Sequence, residues 1–250
     1  MIPKIIHYCW LSNDPIPSEF MTYMASWKKN LPDYKFILWN FDRFDINTSI
    51  WVKQAFENKK YAFAADYIRL FAVYKFGGIY MDMDIEVLKP FDDLLDSELM
   101  LAYESLKTKN LEAGCFGAEK GNPFVKRCLE YYLDRSFIKS NGEFDMTPLP
   151  KIITPVYKEM VNGKPFGSDY FTAKSLDTGK ISVTKNTYAI HHFAGSWTIP
   201  IRKKYMKARG QLAKVVGGKI SRILLLPMQC VCIVKETGFS SLLKKLGGRK

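Results

Sequence analysis

Two carboxylates one residue apart, Asp82 and Asp84, close the run Gly77-Gly78-Ile79-Tyr80-Met81-Asp82-Met83-Asp84. In an extended strand alternate side chains share a face, so both carboxylates would point into one pocket. Side by side they repel, and burial raises the cost of keeping both ionised. A divalent cation removes that cost. Held by one or two carboxylates, such an ion keeps its other positions for water and substrate phosphate oxygens. The pair therefore points to an enzyme that handles a nucleotide diphosphate. A solvated loop is the usual explanation of a short acidic pair, but the flanks Ile79, Tyr80, Ile85 and Val87 make this a core-like run.

Three further groups of residues could join that chemistry. The stretch Tyr61–Phe76 is apolar on nearly every side, through Phe63, Ile68, Leu70, Phe71, Val73 and Phe76, and should be a buried helix. It nevertheless carries Asp66 and Arg69, three apart and so on one face. Isolated, they read as an ordinary helical ion pair. Feeding straight into Asp82 and Asp84, they read as groups for phosphate or sugar hydroxyls. His191 and His192 open the run His-His-Phe-Ala-Gly-Ser-Trp, and the chain has only three histidines. On a strand the two face opposite sides, so at most one readily reaches a metal, and imidazole is a common transition-metal ligand. Ser196 and Trp197 in that run could contact a phosphate and cap the pocket. Trp10 is a core residue or a platform for a base. Tyr80, beside the pair, joins the candidate substrate contacts, and His7 reads as structural.

These side chains need a scaffold. Strands are expected at Lys4–Trp10, Tyr34–Trp39, Ile79–Met81, Ile85–Leu88, Leu99–Tyr103, Cys115–Ala118, Ile181–Val183 and Tyr188–His192. Helices are expected from Pro17 to about Lys29, near Ser49–Glu57, over Tyr61–Phe76, over Asn122–Leu133 and near Pro150–Val161. Gly77 and Gly78 suit the left-handed turn after a helix, and Asn122 with Pro123 is a helix start. Strands alternating with helices argue for an α/β layer architecture. In 250 residues with 47% apolar side chains, a substantial folded core is expected rather than disorder. Met1–Pro3 leads into a strand without a signal-peptide core, so five reduced cysteines in a cytosolic protein are expected.

The pieces together resemble glycosyltransferase family 32, the D-x-D enzymes of capsular polysaccharide synthesis, and more distantly the clostridial glucosylating toxins. The resemblance covers roughly residues 2–200. It rests on Ile2–Trp10, on Ala64-Ala65-Asp66-Tyr67-Ile68-Arg69 followed by Gly77–Asp84, and on His191–Trp197. It implies a GT-A fold, a Rossmann-like mixed sheet flanked by helices, over a catalytic domain of residues 1–200. It implies a retaining, metal-dependent hexosyltransferase that uses a nucleotide sugar, commonly UDP-linked, with Mn²⁺ or Mg²⁺; galactose and glucose are the hexoses considered. Carried over by position, Trp10 would stack on the base, and Asp66 and Arg69 would hold donor sugar and phosphate. Asp82 would contact ribose, sugar or a metal-bound water, and Asp84 would be a direct metal ligand. His191 or His192 would complete the metal site, and Ser196 and Trp197 would touch the leaving diphosphate. The acceptor side falls near Glu112–Phe116 and Thr154–Pro155.

Residues 201–250 stand apart. They hold 13 of the 37 Lys and Arg but a single acid, Glu236, so the whole net charge of +12 belongs to them. The apolar stretch Ile223–Val234 is too short to span a bilayer and could lie in its interface. A basic helical tail docked on anionic lipid is expected, at the cytoplasmic face of the inner membrane where a lipid-linked saccharide acceptor would be found. The bland alternative is a helical cap packed on the domain. A nucleic-acid-binding protein is a rival, but the first 200 residues are neutral and carry no nucleic-acid motif. An inactive sugar-nucleotide-binding relative is a second rival, against which the intact acidic set argues.

Overall fold

The computed structural model describes residues 1–175, 178–195 and 200–237. Ser196 and Trp197 lie outside the described residues. The chain forms two compact units, Met1–Ala173 with Ser182–His192, and Lys174–Ile181 with the chain from Phe193 on.

The first unit begins with β1 (Ile5–Cys9), α1 (Ser18–Asn30) and β2 (Lys35–Trp39), a parallel pair joined by a crossover helix. Then come α2 (Ile50–Glu57) and α3 (Tyr61–Phe76), which return the chain to the other side of β1 as β3 (Gly78–Met81), again parallel. Ser49 caps α2 by accepting from the Val52 amide. After β4 (Ile85–Val87), β5 (Leu99–Met100) and β6 (Cys115–Ala118) complete a five-stranded mixed sheet in the order β2-β1-β3-β6-β5. Helices α4 (Pro123–Glu130) and α5 (Leu149–Met160) follow. Asn122 caps α4 by accepting from the Phe124 and Val125 amides, with Pro123 at the first helical position, as its sequence indicates. Last, β7 (Ala189–His191) pairs antiparallel with β4 in a separate two-stranded ribbon. The strand expected at Ile181–Val183 is reduced to one bridge, Lys174 with Ile181.

Helix α3 is the centre of this unit. Phe63, Ala64, Ile68, Leu70, Ala72 and Val73 are all buried, so few of its faces meet water. It ends because Gly77 adopts φ +68°, which turns the chain directly into β3. A Cβ at Gly77 would also lie 2.8 Å from the Lys120 amide, so both conformation and space call for glycine. His7 fastens the same corner. Trp39 Nε1 donates to His7 Nδ1 at 3.1 Å, which leaves Nε2–H to donate to the Gly77 carbonyl at 2.8 Å. Burial lowers the His7 pKa and keeps it neutral, the structural role its sequence suggests.

In the second unit α6 (Pro200–Leu224), broken at Gly217, and α7 (Leu226–Thr237) form the basic helical extension.

Candidate metal and donor site

Asp82 and Asp84 do not sit in an extended strand. Strand β3 stops at Met81, and Asp82-Met83-Asp84 form a turn closed by the Ile85 amide on the Asp82 carbonyl at 3.1 Å. The carboxylates therefore converge through a turn between two sheets, rather than through strand alternation. The turn also sends the chain into β4, whose register against β7 sets Ile85 opposite His191. That register brings an imidazole more than a hundred residues away beside Asp84.

His191 Nε2 lies 3.3 Å from Asp84 Oδ1. Asp82, Asp84 and His191 each offer one ligand atom, and those atoms all lie within 4.8 Å of one another. Asp82 is the more open of the two carboxylates, with 29% of its side chain exposed against 11% for Asp84. His192 follows β7 and turns away from these two carboxylates. It pairs with Glu86 at 2.9 Å and stacks on Tyr23 with ring centroids 4.2 Å apart, and it is not part of the three-ligand group. The structure thus separates two histidines that the sequence could not.

Arg69 lies beneath the carboxylates. It makes three hydrogen bonds and two further ion-pair contacts. Nε reaches the Ala65 carbonyl at 3.4 Å, and Nη1 reaches the Ala113 carbonyl at 2.8 Å and Asp82 Oδ2 at 3.4 Å. Nη2 lies 3.2 Å from Asp66 Oδ1 and 3.4 Å from Asp82 Oδ1. The guanidinium also sits 4.4 Å from the centroid of the Tyr80 ring, whose hydroxyl donates to Asp82 Oδ1 at 2.8 Å. Only 7% exposed and in ion-pair contact with both carboxylates, Arg69 orients Asp66 and Asp82. Tyr80, buried behind Asp82, holds that carboxylate through its hydroxyl. Trp10 stands at the end of β1, its indole N–H donating to the Asp14 carbonyl at 2.8 Å and its ring edge-on to Phe20.

The charges favour a cation. Asp66, Asp82, Asp84 and Glu112 gather around one guanidinium and one imidazole. Burial raises the Asp66 pKa to about 7, against the pull of Arg69. Burial also raises that of Asp82, with Arg69 opposing and the Asp84 charge adding to the rise. For His191 burial disfavours the charged ring, but Glu112 and Asp84 outweigh it and hold its pKa well above the usual value. For Arg69 burial is likewise outweighed, by Asp82 first. An oxygen-rich set with one imidazole suits a hard or borderline divalent ion such as Mn²⁺ or Mg²⁺.

Residues 17–101, which contain this turn, match the family model described as the glycosyltransferase sugar-binding region containing the DXD motif. This segment is similar to the DXD glycosyltransferases. The DXD is Asp82-Met83-Asp84. Among curated proteins, the chain is 31% identical over 128 residues to inositol phosphoceramide mannosyltransferase 3 of Schizosaccharomyces pombe, covering 50% of this chain and 35% of that protein. It is 36% identical over 134 residues to mannosyl phosphorylinositol ceramide synthase SUR1 of Saccharomyces cerevisiae, covering 52% and 34%. The chain thus spans about a third of the length of these relatives. The solved structure of the PaToxG glycosyltransferase superposes with a TM-score of 0.51 over 64% of this chain and 70% of that one, at 20% identity, a likeness of fold. The mixed sheet with its flanking helices is the GT-A type expected from the sequence.

Two residues of the site lie beyond the DXD segment and were not assigned to the metal site from sequence. Glu112, 2% exposed, pairs through Oε1 with His191 Nδ1 at 3.1 Å and accepts from the Gly114 amide at 2.5 Å. Gly114 in turn accepts from the Asp82 amide through its carbonyl at 2.7 Å. A Cβ on Gly114 would stand 2.7 Å from Asp82 Oδ2 and His191 Cε1, and 2.8 Å from Glu112 Oε1. The only signal in the sequence was a Glu-x-Gly just before a strand, within the stretch expected on the acceptor side.

Proposed function

We propose that the chain is a retaining, divalent-metal-dependent glycosyltransferase that moves a hexose from a nucleotide sugar to a glycan or lipid-linked acceptor in surface or capsular polysaccharide synthesis. The observation that carries this reading is the convergence of Asp82, Asp84 and His191 within one ligand-sized space, in a family segment named for sugar binding. Asp82, Asp84 and His191 would hold the ion, Mn²⁺ or Mg²⁺, which when bound supplies positive charge to the departing diphosphate. The residues themselves do the rest. Arg69 and Tyr80 fix the Asp82 carboxylate, so its geometry is set before substrate arrives. Asp66, at the end of the Arg69 fork, is placed to accept a hydroxyl of the sugar. Trp10, Ser196 and Trp197 remain proposed contacts for the base and the diphosphate. No side chain is proposed as a covalent nucleophile; the acceptor hydroxyl attacks on the face the diphosphate leaves.

The relatives' names carry mannosyl transfer, which favours mannose over the galactose or glucose first considered. A thermal-shift panel of UDP- and GDP-linked hexoses with Mn²⁺ tests donor choice, because a ligand that binds only the folded chain raises its melting temperature. A metal-dependent rise with one donor supports the reading. No rise with any nucleotide sugar counts against it.

The same reading places the enzyme at the cytoplasmic face of the inner membrane, with the tail on anionic lipid. Among the described residues no single helix is long and apolar enough to cross a membrane, although Lys204–Leu224 and Leu226–Lys235, bent by 55°, pass that test together. Val215 and Ile223, 82% and 69% exposed, alternate with Lys214, Lys219 and Arg222, an arrangement suited to lying in the interface. Truncation after about residue 200 should move the protein from the membrane to the soluble fraction, and unchanged fractionation would sink the docking role.

A further inference from the structure

Glu112 does more than fill space. It lies outside the matched segment 17–101, in the stretch leading to β6, and is almost wholly buried. Its Oε1 is engaged twice, by the Gly114 amide and by His191 Nδ1, whereas its Oε2 is buried with no hydrogen-bond partner. A buried carboxylate with one oxygen unpaired is expensive to keep for packing alone, and a glutamine or methionine of the same shape would cost less. The charge must serve its neighbour, and the neighbour is a candidate metal ligand. By contrast Glu86, the partner of His192, has 38% of its side chain exposed and forms an ordinary rim pair.

We propose that Glu112 is the positioning residue for His191, holding the imidazole so that Nε2 faces the Asp82–Asp84 turn. Once an ion replaces the Nε2 proton, Nδ1–H donating to Glu112 Oε1 would commit the remaining proton to that side. Nε2, 3.3 Å from Asp84, would then be the nitrogen free to ligate the ion. A carboxylate on the distal nitrogen also makes the imidazole a better donor. Gly114 completes the device, since only a residue without a side chain lets Glu112, His191 and Asp82 close on one point. Glu112 is tied to the backbone of the segment that also binds the Asp82 amide, so the DXD turn and the histidine are registered through one short stretch, Glu112–Gly114. The inference rests on the metal-dependent reading of Asp82, Asp84 and His191, and concerns how that site is held.

The test is Mn²⁺ affinity of the full chain, measured without donor from the loss of the free-ion electron paramagnetic resonance signal. Glu112→Gln keeps the shape and removes the charge. It should leave the fold intact by circular dichroism and weaken Mn²⁺ binding roughly 10- to 100-fold. In a His191→Ala background the same change should shift affinity less than about twofold, because the route through the histidine is gone. Where the glutamine variant does not fold, Glu112→Asp keeps the charge but withdraws it by one methylene, with the same expectation. Wild-type affinity in folded Glu112→Gln overturns the proposal, and so does an equal loss with and without His191. If the wild-type chain binds no Mn²⁺, the metal-dependent reading itself fails and takes this inference with it.

Discussion

Replacing Gly114 with alanine tests the tightest point of the site with a single methyl group. Gly114 is not among the glycines with positive φ, so alanine meets no backbone penalty there and the effect is one of space. The added Cβ would lie 2.7 Å from Asp82 Oδ2 and His191 Cε1, whereas ordinary contact begins at 3.4 Å, so each must retreat by about 0.7 Å. Overpacking of this kind costs about 1–3 kcal/mol. Taken up by Asp82 and His191, two of the three groups proposed to hold the ion, it corresponds to a roughly 5- to 150-fold loss of metal affinity. Nucleotide-sugar hydrolysis should fall at least as far, because displacements approaching 1 Å cost about 100-fold in rate where alignment matters. Mn²⁺ titration and donor hydrolysis of Gly114→Ala, with a melting curve to show that the chain is folded, measure both. Wild-type affinity and turnover in the variant would refute the convergence of Asp82, His191 and Glu112 on this glycine.

The two histidines should behave oppositely: His191→Ala loses about 100-fold in Mn²⁺ affinity, as expected for a ligand. His192→Ala stays within about twofold and loses only the Glu86 bond and the Tyr23 stack, worth about 1 kcal/mol; equal losses in a Mn²⁺ titration would contradict the assignment. Arg69→Lys keeps the charge but cannot make all of these contacts, so about 2 kcal/mol of charged hydrogen bonding is lost. For a chain of this size that is a drop of roughly 4–8 °C in melting temperature, and an unchanged value would show that the fork is idle. Asp66 predicts a pH effect. Its folded-state pKa is raised to about 7 by burial, while the unfolded value is about 3.9. The folded chain therefore binds the proton more tightly. The stability that Asp66 contributes is complete below about pH 4 and is lost as pH rises through about 7. Without metal, the melting temperature should fall over that range, more shallowly in Asp66→Asn; equal slopes would contradict the shift.

Much of the scaffold was legible in residue types. Helix α3 could be read in full because its apolar residues cover nearly every face and Gly77 marks its end. Asn122 and Pro123 marked the start of α4 as clearly. The DXD carboxylates were legible as a cation site, but the reason for their convergence was not. Alternation along a strand and a turn between two strands place alternate residues on one side equally well, and only the β4–β7 register distinguishes them. That register also decides between His191 and His192, since neighbouring residues on a strand differ only in which face is buried. Arg69 was recognised, but its partner on a distant segment was not. Its spacing from Asp66 is local, whereas the Ala113 carbonyl that completes its fork arrives from a distant segment. Glu112 and Gly114 carried the weakest signal, because they sit in irregular chain where neither helical nor strand periodicity identifies a face.

The central claim is that Asp82, Asp84 and His191 hold a divalent ion against a nucleotide-sugar diphosphate. Release of nucleotide diphosphate from the donor identified by thermal shift, with Mn²⁺ or with EDTA, in the wild-type chain and in Asp84→Ala, measures it directly. The account predicts hydrolysis that requires Mn²⁺ and is lost in Asp84→Ala, while the variant remains folded. Hydrolysis that persists in EDTA or in Asp84→Ala would contradict it.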